Sequence, residues 1–127
     1  MNELLLTATA TELATLLKSG ELTSVQLVKV CLDQIANCDR SGPTLRAIVS
    51  TPPEKDILAV ADRLDRERAA RKIRGPFHSI PIILRDFINT DPSLGMPTTL
   101  GSYAFENSRP KSNAVVVETV RVSDQRS

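Results

Sequence analysis

Gly75-Pro76-Phe77-His78-Ser79-Ile80-Pro81-Ile82-Ile83-Leu84-Arg85-Asp86 is the stretch on which the reading of this chain turns. Ile80 to Leu84 is a continuous apolar run too short for a helix, and Pro81 stands near its start, where a missing N–H is tolerated in a strand. The run therefore reads as a strand covered on both faces, closed by the charged pair Arg85-Asp86. His78, the single histidine, has Phe77 and Ile80 as neighbours and reads as a packed or surface imidazole rather than a catalytic one. A Ser-His-Asp triad with Ser79 is hard to build, because successive side chains diverge in extended chain.

Upstream, the pattern is helical. Thr9 with Glu12 makes a capping box, Leu13, Leu16 and Leu17 form one stripe, and Gly20 is placed to stop the helix. Thr23 with Gln26 offers a second box, after which Leu27, Val28, Cys31, Leu32, Ile35 and Cys38 recur at helical spacing until Asp39-Arg40-Ser41-Gly42-Pro43 breaks the run. Cys31 and Cys38 are two turns apart on that helix, ~10 Å at ~1.5 Å per residue, beyond the ~7 Å reach of a disulfide. Leu45 to Val49, bounded by Gly42-Pro43 and Pro52-Pro53, reads as a second short strand. Glu54 to Lys72 places Ile57, Ala61 and Leu64 on one stripe, and its alternating acids and bases suit i,i+4 pairing on a solvated helix better than phosphate binding. Gly75-Pro76 ends that element.

Downstream, Asn89 to Pro110 is rich in proline, glycine and small polar residues and reads as a long loop of the kind that lines a site. Asp86 and Asp91 serve acid–base chemistry only if folding brings them together. Gly95 and Gly101 make neither a G-x-G-x-x-G nor a P-loop. The 127 residues carry 16 Lys plus Arg against 15 Asp plus Glu, so a net charge of +1 provides no basic field for nucleic acid or an acidic membrane. The opening Met1-Asn2-Glu3-Leu4-Leu5-Leu6 lacks the basic and apolar regions of a leader, and no apolar window reaches the ~18 residues of a membrane span, which together predict a cytoplasmic protein. Two cysteines and one histidine are too few and too scattered for a structural zinc site. Helices flanking two separated apolar runs predict an α/β class with a covered, at least partly parallel sheet, and two strands alone leave that sheet incomplete.

The segment 75–86, with Ile88-Asn89-Thr90 and Met96-Pro97-Thr98-Thr99-Leu100-Gly101-Ser102, resembles the amino-terminal part of the amidase signature family. Gly20-Glu21-Leu22-Thr23-Ser24 upstream, and Arg109-Pro110 with Asn113-Ala114-Val115-Val116 downstream, match it too. The likeness covers about residues 7–121 of a partial domain spanning 1–127, with Val122 to Ser127 as a divergent tail. The resemblance implies hydrolysis of a carbon–nitrogen amide bond by a Ser-Ser-Lys triad, with no metal and no organic cofactor, on helices around a mixed sheet. It also implies a helix after Asn113, where the valines by themselves favour a strand. The wording Thr90 to Met96 looks closer to general amidases than to the transfer-RNA enzymes of the family.

The departures limit what is inherited. Arg85 stands at the family's lysine, and a guanidinium with a pKa above ~12 stays charged and cannot be the base of the relay. The family's Gly/Ser-rich segment, which carries the bridging and the acylated serines, has no counterpart in these residues, and a frameshift, retained intron or early stop near Val120 would give such a tail. Ser79 replaces a usual glycine, and Phe87 replaces a common asparagine. Three readings follow: a truncated amidase-like protein without hydrolase activity of its own, an incomplete piece of an active amidase, or a non-catalytic module that meets a protein partner or itself through an uncovered sheet edge. A substrate-binding residue is not named by the sequence.

Overall fold

The computed structural model describes residues 2–122. Five helices carry the regular structure: α1 (Asn2–Thr7), α2 (Ala10–Ser19), α3 (Ser24–Cys38), α4 (Glu54–Ala69) and α5 (Val115–Val122). Two 3₁₀ turns, Pro92–Leu94 and Tyr103–Phe105, punctuate the long connection between α4 and α5. The divergent tail from Ser123 onward lies outside the described residues.

Both predicted capping boxes form. Thr9 N donates to Glu12 Oε2 at 2.7 Å while Glu12 N donates back to Thr9 Oγ1 at 3.3 Å. Thr23 N donates to Gln26 Oε1 at 2.9 Å and Gln26 N to Thr23 Oγ1 at 3.1 Å. Gly20 ends α2 at φ 82°, the left-handed geometry that a residue without Cβ adopts most cheaply. Helix α4 stops at Ala69, three residues before the expected limit, because Lys72 N bonds back to Glu67 O at 2.8 Å and Arg71 takes φ 59°. The short α1 is not announced by periodicity. Its Leu5 joins Leu17, Leu22 and Leu27 in the main core, against which Leu13, Leu16, Val30, Cys31 and Ile80 pack. Helices α3 and α4 pack on each other, and both cysteines of α3 are free thiols.

The alternating charges of α4 pair along its surface as expected, with Asp62 to Arg66 at 2.6 Å and Arg63 to Glu67 at 4.0 Å. Glu67 also forms a short bidentate contact with Arg74.

The expected α/β sheet is absent: no strand occurs among the described residues. At 45–49 the cause is the end of α3. Leu45 N bonds to Cys38 O, Arg46 N to Asp39 O, and Ala47 N and Ile48 N both bond to Asp39 Oδ1, at 2.6 and 2.9 Å. Those amides are spent on a helix terminus, and Arg46 at φ 49° is not extended. Ile80 to Arg85 runs without helix, turn or bend, yet it forms no ladder with a second segment among the described residues. A strand is defined by its ladder, and apolar composition cannot supply the partner. Within the run Ala114 to Val122 the helix spans Val115–Val122, as the resemblance implied and the valines did not. No helix among the described residues is long and apolar enough to cross a membrane.

Candidate functional site

The residues after Ile80 are held by three ties that close the connection 86–101 on itself and on α5. Ile88 N bonds to Arg85 O at 3.0 Å, making 85–88 a turn with Asp86 at its first central position. The Asp86 carboxylate then accepts from Thr99 N at 3.0 Å, from Gly101 N at 3.0 Å and, over a short contact, from Thr99 Oγ1. Above it the buried pair Thr90 and Thr98 meet, with Thr90 N donating to Thr98 Oγ1 at 3.2 Å. Asn113 Oδ1 accepts from Asp91 N at 2.6 Å, and Ala114 N donates to Asn89 O at 2.8 Å, which attaches the loop to the start of α5. Asp91 also caps its own 3₁₀ turn through Ser93 N at 2.8 Å. The blocks 85–90, 96–102 and 113–114, separate in the chain, thus converge on one loop cradle. The Asp86 carboxylate is taken by Thr99 and Gly101 and the Asp91 carboxylate by its own turn, so among the described residues the two acids share no hydrogen-bond partner.

Arg85 sits at the mouth of this cradle, exposed, its guanidinium 5.3 Å from the centroid of the Phe87 ring. Such a stack favours a positive charge. An open depression lined by Pro92, Met96, Pro97, Glu106 and Arg109 lies along the loop but does not include Arg85. No group of three His, Cys, Asp or Glu side chains among the described residues is placed to hold a metal ion.

The hydrogen bonds to Asp86, those from Thr99 foremost, hold its carboxyl below the ordinary carboxylate value. Its folded pKa being depressed, the contribution to loop stability is complete above the unfolded value, ~3.9, and is lost as pH falls through the lower folded value. Acid titration followed by amide NMR is therefore expected to release Thr99 and Gly101 together, below pH ~4. In Asp86→Asn those two resonances are expected to be displaced already at neutral pH and to show no such acid step.

A second polar cluster has no signal in the sequence, because α4 reads as a solvated face. Asp65 reaches the amino terminus of α3, accepting from Ser24 N at 2.8 Å and Val25 N at 3.3 Å. Arg68 donates to Asp65 Oδ1 and to Ser24 Oγ, both at 3.3 Å, and to His78 O and Ser79 Oγ, both at 3.1 Å. Burial pulls the Arg68 guanidinium below its usual value, and Asp65 opposes that shift. His78 is buried, its Nδ1 accepting from Arg74 N at 3.1 Å and its Nε2 facing Leu64 O at 3.0 Å. A carbonyl only accepts, so these partners assign the hydrogen to Nε2. Both ring nitrogens are taken, which agrees with a packed imidazole.

Ser79 lies at φ 75°, a backbone region that favours glycine, which is what the resemblance has at this position. Its hydroxyl in turn gives Arg68 a partner. Strain and hydrogen bond oppose each other, at about 1 kcal/mol each. Ser79→Gly is expected to change stability by less than about 1 kcal/mol in urea melts, whereas Ser79→Ala keeps the strain, loses the acceptor and costs about 1–2 kcal/mol. Equal costs for the two would show that strain plays no part.

The profile of the family described as Amidase matches residues 26–125. The chain belongs to the amidase family. A glutamyl-tRNA(Gln) amidotransferase subunit from Chloroflexus aurantiacus is 39% identical over 113 residues, which are 89% of this chain and 21% of that one. The crystal structure of the peptide amidase of Stenotrophomonas maltophilia superposes with a TM-score of 0.84 at 38% identity, covering 92% of this chain and 23% of that one. An amidase family protein from Bacillus anthracis gives the same TM-score at 26% identity, covering 94% and 23%. The chain thus spans about a fifth of the length of the curated amidase relatives it matches. Both kinds of relative occur at similar overall identity.

Proposed function

We propose that these residues form the amino-terminal helical portion of an amidase fold that does not hydrolyse amides by the family's serine–lysine relay. The observation that carries this is Arg85. The resemblance puts a proton-accepting lysine there, and a guanidinium donates hydrogen bonds but does not accept a proton near neutral pH. The Phe87 ring centroid lies 5.3 Å from the Arg85 guanidinium. Removal of a general base costs a reaction about 10²–10⁴-fold, and the loss is the same whatever length of chain follows. The 127 residues contain no Gly-Gly-Ser cluster to act as nucleophile and oxyanion hole.

Incubating the purified chain with a peptide amide and assaying for released ammonia tests the proposal. No turnover above buffer is expected. Turnover that disappears when a serine within residues 1–127 is changed to alanine would overturn it.

A further inference from the structure

The depression beside the loop cradle has a volume of about 250 Å³. One stretch of chain contributes Pro92, Gly95, Met96 and Pro97 to its lining, and another contributes Glu106 to Pro110. Both stretches are held in place. Gly95 closes the first 3₁₀ turn at φ 73°, and a Cβ there would stand 3.0 Å from Pro53 Cδ, so this wall is packed against Pro52-Pro53. In the second stretch Glu106 N bonds to Tyr103 O at 3.2 Å and Ser108 N to Phe105 O at 2.9 Å. Prolines at 92, 97 and 110 restrict the backbone further.

The charged residues of the lining are Glu106 and Arg109, and neither side chain has a hydrogen bond or an ion pair among the described residues. Opposite charges at this spacing pair elsewhere in the chain, Arg68 with Asp65 at 3.3 Å and Arg121 with Glu118 at 3.8 Å. Those pairs lie on helices, whereas the chain leaves its 3₁₀ turn at Glu106. Two opposite charges facing one small space restrict what fits. A simple anion is drawn to Arg109 and repelled by Glu106, and a simple cation meets the reverse. A molecule carrying both charges a few ångströms apart satisfies both. Met96 and the prolines offer an apolar floor, and a flexible thioether adapts its shape to a hydrocarbon group. The volume falls below the ~300 Å³ at which sites for drug-sized molecules begin, so the ligand is small.

We propose that this depression binds a free amino acid with an apolar side chain, its carboxylate on Arg109, its ammonium on Glu106 and its side chain against Met96. The site does not include Arg85 and is independent of the reading of that position. Amide NMR of the chain titrated with L-leucine, at about pH 6.5 and constant ionic strength, tests it. Saturable shifts are expected at Gly95, Met96 and residues 106–109, with a Kd of about 1–10 mM for so open a site. Leucinamide lacks the carboxylate, N-acetyl-leucine lacks the ammonium and glycine lacks the side chain. Each is expected to bind at least about fivefold more weakly, as for loss of one exposed contact. Glu106→Gln is expected to weaken leucine by a similar factor and leave N-acetyl-leucine no weaker, and Arg109→Gln to do the same with leucinamide in its place. No saturable shift with leucine overturns the proposal, as do shifts centred on other residues. Equal binding of leucine and any of the three analogues overturns it too, and that series on the unaltered chain stands whether or not the variants fold.

Discussion

Arg85→Lys, in a chimera in which this whole chain replaces the matched portion of the Stenotrophomonas maltophilia peptide amidase, is expected to raise kcat for a peptide amide by about 10²–10⁴-fold, with little change in KM. Both side chains are cations of similar length, so ground-state contacts made by charge survive the exchange. What differs is the proton. Lysine loses it when its surroundings disfavour charge, and a guanidinium does not. Phe87 adds a second effect, because a ring face under the 85 side chain stabilises whichever cation stands there and so opposes neutralisation of a lysine. Arg85→Lys/Phe87→Asn is therefore expected to exceed the single variant. Steady-state kinetics with the three chimeras decides the matter. Equal kcat with arginine and lysine would show that no base is needed at position 85.

Arg68→Met is expected to lower the unfolding free energy by about 2–4 kcal/mol in urea, read by far-ultraviolet circular dichroism. Methionine keeps the hydrophobic stem and removes the guanidinium. Asp65, with a quarter of its side chain exposed, then loses its ion-pair partner, and the Arg68 bonds to Ser24 Oγ, Ser79 Oγ and the His78 carbonyl are lost at once. The damage spreads because Asp65 also closes the amino terminus of α3, where its negative charge meets the positive end of the helix dipole. Arg68→Lys is expected to recover less than half of the loss, since one ammonium cannot reach acceptors arranged around a planar fork. A methionine variant as stable as the parent would show the cluster to be incidental.

Much of the helical layer was legible because its signals are local. Thr9 and Glu12, or Thr23 and Gln26, are three residues apart and find each other in any chain that begins a helix there. The family blocks around Arg85 and Asp86 were legible as an ordered set, although their meeting at Thr99, Gly101 and Asn113 needed the folded loop. Where the residues and the resemblance disagreed at Ala114 to Val122, the resemblance was right, since five valines within a few residues describe a propensity and the helix there is decided by its setting. The two strands failed for a related reason. Apolar runs at 45–49 and 80–84 announce that something must be buried, and whether burial takes the form of a ladder depends on partners the run does not contain.

The sequence by itself determined where α2 and α3 begin, that α2 stops at Gly20, that the charges of α4 pair along its surface, and that a permanently charged guanidinium occupies position 85. Each is a property of one residue or of neighbours within a turn. Only the tertiary structure decided that Asp65, 41 residues beyond Ser24, supplies two of the caps of α3, and that Arg68 joins both to Ser79. It also decided that the amides after α3 are spent on Asp39 rather than on a strand. Hydrogen-bond partners distant in the chain are chosen by where packing places them, and local propensity carries no information about that.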